Sequence, residues 1–455
     1  MATIPTRAEA APAGAPGRDP SIPRLTEGVE LVGEYQGSGF KEPHYLVRRA
    51  DGQVIQLSRL LFLVAASIDG RRDLERIARR VSQQVGRRLS AEQAGFLVQS
   101  KLRPLGVLAA ADGDSPRPQR PDPLLALKIR GALVSERAVG VIAAVLRPLF
   151  WPPVVLAVLA GLVAVDVWLF FVHGIARGLQ SMLWHPVLLL MVLCLMVVSM
   201  AFHECGHAAA CRYGSARPGV MGVGLYLVWP TFYTNVTDAY RLGRAGRLRT
   251  DLGGVYFNVV FVLVIAGVYF LTGFEALLVV IVIEHLGILE QFLPFVRLDG
   301  YYVVADLTGV PDLFQRVKPI LKSLVPGRGA GAQVKELKPW VRAVVTGWVL
   351  LTVPVLMGNL ALLVMQTPRI LATARRSFSV QVDVVSSSLR AGSPASLTLG
   401  VVSIVALALP VIGTVAIFAQ LGHRAGAAAL RWSNRARQRS KGKVSLVSHS
   451  GRRFR

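Results

Sequence analysis

The sequence predicts a polytopic α-helical membrane protein of about six transmembrane helices, with a membrane-associated β-rich segment and an N-terminal soluble α/β domain of winged-helix-like order. Three observations predict it. The 455 residues are 53% hydrophobic, with a mean hydropathy of +0.48, which is too apolar for an ordinary soluble chain. Six apolar segments, near 150–173, 182–212, 252–273, 275–296, 341–365 and 397–421, are long enough to cross a hydrocarbon core about 30 Å thick. Residues 25–115 carry no such segment and show the shorter periods of a soluble fold.

Taken in order, residues 1–24 are Pro/Ala-rich and polar and read as a disordered leader, with no cleavable signal peptide. In 25–115, "HYLVRRADGQVIQLS" alternates like a hairpin turning at Asp51-Gly52. "RLLFLVAASIDG" reads as an apolar helix. "DLERIARRVSQQVG" spaces Leu74, Ile77, Ala78 and Val81 helically behind a capping Asp73, and Ser90 caps a third helix carrying Phe96 and Leu97. The expected order is strand, strand, helix, helix, helix. Residues 116–148 read as a linker, 149–421 as the transmembrane core and 422–455 as a basic tail. Within the core, "PGVMGVGLYLVWPTFYTNVTDAY" is β-rich and reads as hairpin strands partly sunk in the bilayer, and 366–396 reads as a polar outer loop.

The net charge of +24 raises nucleic acid as a partner, but positive-inside topology accounts for it. With the N-terminus inside, 25 basic residues flank the inner ends of the spans and five the outer ends. That places both termini in the cytosol of a multi-pass protein of the cell (plasma or inner) membrane, with the tail against anionic lipid or in solvent. Cys194, Cys205 and Cys211 all fall on the second span, so no disulfide framework is expected.

The chemistry lies in "HECGH". His203 and His207 are four apart and share one helix face, so two imidazoles can reach one ion, with Glu204 beside them as a candidate base. Ionisable groups inside a span cost about 2–3 kcal/mol each and mark function. The pattern points to Zn2+. A hydrolytic zinc takes three protein ligands and keeps one position open, and Asp299 in "LPFVRLDG" is the best third candidate. The second and fourth spans run in the same direction. The histidines lie roughly 28 Å of helix beyond Trp184, so both motifs reach the cytosolic end. Gly300 supplies freedom to turn there. His285 falls roughly 21 Å before Asp299 if the helix is continuous, so it and Glu284 read as interhelical partners. Glu290 is nearer. Asp166 faces the bundle, Cys205 packs, and Asp238 lies near the entrance.

These residues carry a resemblance. "HECGH", the Gly-x-x-x-Asn of "GVYFN" and "PFVRLDG" resemble the site-2 protease family of intramembrane zinc metalloproteases, in its bacterial peptide zinc metalloprotease branch. The likeness spans about residues 30–420. It implies zinc ligands His203, His207 and Asp299, Glu204 as catalytic base, and a catalytic or supporting polar role for Asn258. Gln291 stands where the family often has Asn. Residues 25–115 resemble PqqD-like winged-helix modules, through "DGQVIQLS", "IDGRRDLERIA" and "LSAEQ…LRPLGVL". That resemblance implies a leader-like peptide as ligand, with DNA or a plain docking role as alternatives.

The reading is therefore a zinc metalloendopeptidase, acting within or at the lipid bilayer on a membrane protein or module-held peptide. The alternatives are a peptide maturation or export factor and a non-catalytic, peptide-binding pseudoprotease. No internal repeat suggests a transporter.

Overall fold

The computed structural model describes residues 22–109, 127–174, 186–226, 229–293, 296–326, 329 and 331–450. Nearly all of the expected leader, the first part of the expected linker and the last five residues lie outside the described residues. The chain divides into two compact units, Met1–Arg120 and Pro121–Arg455.

In the first unit, strands β1 (Glu30–Glu34), β2 (His44–Arg48) and β3 (Val54–Ser58) form an antiparallel sheet in that order. β2 and β3 meet at Asp51-Gly52, where Gly52 takes φ +80° and the Arg49 amide donates to the Gln53 carbonyl at 2.8 Å. β1 departs from the two-strand expectation. Its register slips between Leu31 and Gly33, and Gly33 sits at φ +117°, so a bulge breaks the alternation that would announce a strand.

Helices α1 (Arg59–Ser67), α2 (Leu74–Val85) and α3 (Ala91–Phe96) follow, α3 continuing as a π-helical turn to Leu102. Each begins on a capping side chain: Ser58, Asp73 and, in a reciprocal capping box with Gln93, Ser90. Ile77 and Val81 of α2 meet Val47, Leu57, Val64, Val98 and Leu102 in one apolar core. The opposite face of α2 leaves Arg76, Arg79 and Arg80 exposed.

In the second unit, five helices among the described residues are long and apolar enough to cross a membrane: Pro152–His173, Val187–Tyr213, Gly253–Thr272, Pro339–Ala391 and Pro394–Gln420. These belong to α5 (Pro152–Trp168 and the π-helical turn to His173), α6 (Pro186–Tyr213), α8 (Gly253–Thr272), α11 (Pro339–Ala391) and α12 (Pro394–Ser450). The expected fourth span is instead the 16-residue α9 (Ala276–Gln291). The expected outer loop at 366–396 is also corrected. α11 runs unbroken for 53 residues, roughly 80 Å at the α-helical rise, and turns only at Gly392, φ +63°. Arg369, Arg375 and Arg376 lie exposed along it. The inside–outside charge count assumed six spans and that loop, so it does not carry over.

Part of the expected linker is structured. β4 (Leu127–Val134) joins β5 (Met221–Tyr226) and β6 (Trp229–Thr234) in a second antiparallel sheet, ordered β4-β5-β6. Only glycine fits at Gly222, where a Cβ would press on the Gly131 and Ala132 backbone. α4 (Glu136–Leu146) then packs Val139 and Ala143 against Ala208 of α6 and Met221 of β5. The β5–β6 hairpin has its strands where the sequence suggests, and its turn at 227–228 lies outside the described residues. Thr234 Oγ1 of β6 donates to the Glu204 carbonyl at 3.1 Å, tying the sheet to α6.

α8 is the central helix. Phe261, Val262, Ile265 and Ala266 bury against Val192 of α6, Leu169, and Leu277, Leu278 and Ile281 of α9. The short α7 (Arg244–Asp251) is pinned by its arginines. Arg244 stacks 5.4 Å from the Trp340 ring and Arg249 4.6 Å from the Tyr213 ring. Arg247, 1% exposed, reaches Asp306 of α10 (Asp299–Thr308) at 2.9 Å and donates to the Leu242 carbonyl at 2.8 Å. Removing one member of a buried ion pair strands the other. Arg247→Leu should therefore lose about 3–5 kcal/mol of stability, read as an earlier thermal unfolding of the detergent-solubilised protein.

Candidate metal centre

α6 and α8 cross at backbone contact. A Cβ on Gly206 would stand within 3.0 Å of the Gly253 carbonyl and the Phe257 ring, and one on Gly253 within 3.0 Å of the Gly206 carbonyl and Ala210. A Cβ on Gly254 would meet Nε2 of both His203 and His207. The small residues let the histidine face of α6 lie directly on α8.

This crossing supplies a partner for each imidazole. His203 Nδ1 faces Asn258 Oδ1 at 2.5 Å, and Asn258 Nδ2 donates to Glu284 Oε2 of α9 at 2.8 Å. His207 Nδ1 faces the Thr250 carbonyl at 2.8 Å. Thr250 lies in the last turn of α7, where carbonyls lack a partner within the helix. A carbonyl oxygen only accepts, so each Nδ1 carries the hydrogen and each Nε2 keeps its lone pair.

The lone pairs converge with the third candidate. His203 Nε2 and His207 Nε2 are 3.1 Å apart, and Asp299 Oδ2 lies 3.3 and 3.5 Å from them. Among the described residues these three form the group of His, Cys, Asp or Glu side chains able to hold a metal ion, their ligand atoms all within 4.8 Å of one another. A tetrahedral zinc with bonds of about 2.0–2.1 Å sets its ligand atoms roughly 3.3 Å apart, which matches all three separations. Asp299 Oδ2 is buried without a hydrogen-bond donor. Three lone-pair donors facing one another without a hydrogen between them fit a cation.

Asp299 reaches the histidines by a route the sequence reading did not anticipate. It opens α10, a separate helix, after the chain leaves α9 at Gln291; Pro294 lies outside the described residues. Gly300 is in ordinary helical backbone and gives no special turn. Its lack of a Cβ lets α10 start against the Phe292 backbone. Tyr301 anchors that start, stacked on Phe314 at 5.3 Å and beside Trp348 at 6.1 Å.

Glu204 sits half-buried between the two histidines in sequence, its carbonyl held by Thr234. Asn258 has its oxygen on His203 and its amide on Glu284, which orients an imidazole and does not present a donor to substrate. Glu284 makes the interhelical hydrogen bond expected of it, to Asn258 of α8, and lies closer to His203 than the sequence suggests. The 21 Å separation assumed a helix continuous to Asp299, whereas the break after Gln291 brings the chain back. His285 contacts Asp166 of α5 at 2.9 Å, an interhelical contact as expected from sequence. Glu290 is exposed. Asp238 accepts from the Arg217 amide and pairs with Arg241 at 2.7 Å. Cys205 packs with Ala208 and Phe257, and all three cysteines are free thiols. Behind the site, burial first and Asp306 second push the Asp251 carboxyl well up.

Comparison with known proteins gives one distant likeness. The chain is 22% identical over 173 residues to a Bacillus subtilis (strain 168) protein named "Putative peptide zinc metalloprotease protein YydH", covering 37% of this chain and 68% of that one. No family model matches the chain, and no solved structure matches it.

Two outcomes follow from the geometry. Purified protein should hold about one zinc per chain, and Asp299→Ala should lose it, as metal analysis beside His203→Ala will read. Gly254→Ala should weaken zinc binding while leaving Asp299 in place, because its methyl group enters the space of both imidazole nitrogens.

Proposed function

We propose that the protein is a membrane zinc metalloendopeptidase of site-2 protease type, with His203, His207 and Asp299 as ligands and Glu204 as base. The observation that carries the reading is the convergence of two imidazole lone pairs and one carboxylate oxygen at zinc-ligand spacing. The name of the distant Bacillus relative supports the same chemistry, and the five apolar helices support action at a bilayer.

Bound zinc supplies Lewis acidity, which acidifies water and polarises a scissile carbonyl. The residues do the rest. Glu204 shares the helix with both histidines, and its carboxylate would take the proton of the attacking water and return it to the leaving amine. Asn258 and the Thr250 carbonyl hold the imidazoles in the tautomer that leaves Nε2 free. β6 is an edge strand fastened to α6 beside Glu204. It offers main-chain hydrogen bonds to an unwound substrate strand, and a helical substrate must open before its amides are accessible.

The first unit is proposed to hold a peptide, delivering it to the protease or serving its maturation. β1 and β3 are the outer strands of the three-stranded sheet among the described residues, the positions suited to strand addition. DNA binding would instead use Arg76, Arg79 and Arg80 and fall steeply with salt. The proposed location is the cell membrane.

Glu204→Gln should retain zinc and abolish cleavage. Comparing membrane and released peptides of wild-type and variant cells tests this and identifies substrates; equal turnover by the two would remove Glu204 from the mechanism. Titrating the protein with candidate peptides and with duplex DNA, at low and moderate salt, should give peptide binding that persists as salt rises.

A further inference from the structure

Glu284 is a carboxyl group, 4% exposed, on a stretch of α9 whose neighbours Val280 and Ile281 are fully buried. Nothing in the zinc-ligand set needs it, and an ionisable group in such surroundings is costly to keep. Its use follows from the difference between the two histidines. His207 Nδ1 faces a backbone carbonyl, which accepts and cannot turn round. His203 Nδ1 faces a side-chain amide, which can. Turned about its Cβ–Cγ axis, Asn258 would offer its NH2 to Nδ1. The hydrogen of His203 would then move to Nε2, where the metal needs a lone pair.

The third group decides the orientation. The Glu284 oxygen that faces Asn258 accepts from Nδ2 at 2.8 Å. With that oxygen there, only one orientation of Asn258 makes both hydrogen bonds. We propose that Glu284 is a positioning residue for the metal centre: through Asn258 it fixes the His203 tautomer that metal binding requires. The proposal rests on the zinc reading given above, and it adds a residue from α9 to the set that assembles the site.

The test is zinc affinity of the purified full-length protein, measured by competition with a chromophoric chelator. Outer hydrogen-bond partners of metal-binding histidines are typically worth about 10–100-fold in affinity, and Glu284→Leu should lose that much. The decisive variant combines Asn258→Asp with Glu284→Gln. A carboxylate at position 258 accepts from His203 whichever way it is turned, and the glutamine amide donates to its other oxygen, so the double variant should restore wild-type affinity. A role in general packing predicts unchanged affinity in Glu284→Gln alone, which keeps the volume, whereas the tautomer lock predicts a loss there, because the glutamine amide suits either orientation of Asn258, and recovery on adding Asn258→Asp. Unchanged affinity in Glu284→Leu overturns the proposal, as does a folded double variant that binds no better than Glu284→Leu. If Glu284→Leu does not fold, the double variant decides alone. His203→Ala separates the two levels. Zinc retained in His203→Ala defeats the metal centre itself, whereas zinc lost there but kept in Glu284→Leu defeats only the tautomer lock.

Discussion

The crossing of α6 and α8 at Gly206, Gly253 and Gly254 is the constraint on which the rest of the site depends. Inside a bilayer, lipid is as apolar as the helices, so association rests on close packing of small residues and on polar contacts. Here the contact is backbone on backbone. It puts Asn258 one turn along α8 against His203, and it puts the end of α7, with its Thr250 carbonyl, against His207. A larger residue at Gly206 or Gly253 would part the helices and take both hydrogen-bond acceptors away from the imidazoles. One at Gly254 would occupy the space between them.

The polar groups around the site form a graded arrangement. Nearest the ligand atoms, every polar contact leaves a lone pair free: Asn258 and Thr250 take the Nδ1 hydrogens, and Asp299 Oδ2 receives none. Farther out, charges are matched. Arg247 meets Asp306 in the interior, and Arg244 and Arg249 spread their guanidinium groups over Trp340 and Tyr213. These contacts fix α7 from three sides, which is what gives the Thr250 carbonyl a defined position. Arg297 does the same for the entry to α10, lying 5.6 Å from the Tyr301 ring.

What the sequence disclosed, and what it hid, follows from the range of the interactions. His203 and His207 are legible because helical spacing alone puts them on one face, and the convergence of Asp299 with them was expected. Asp299 arrives there without a fourth span that ends at the motif. α9 is short, and a separate helix presents Asp299. The same assumption of one continuous helix placed Glu284 far from the histidines, although its carboxylate is two hydrogen bonds from His203. The missed strands β1 and β4 have local causes. Gly33 bulges the first, and the second sits in a stretch whose partner strand is about ninety residues away, so nothing near it in sequence marks the pairing. Arg369, Arg375 and Arg376 suggested a loop, because charge was read as an interruption where the backbone continues as exposed helix.

Three ligand atoms define the metal centre, and X-ray absorption at the zinc edge of the purified protein tests them most directly. The structure predicts a first shell of nitrogen and oxygen only, at roughly 2.0–2.2 Å, with the outer-shell scattering of two imidazoles. Sulfur at roughly 2.3 Å, from Cys205 or Cys211 on the same helix, would contradict it, as would a protein that carries no zinc.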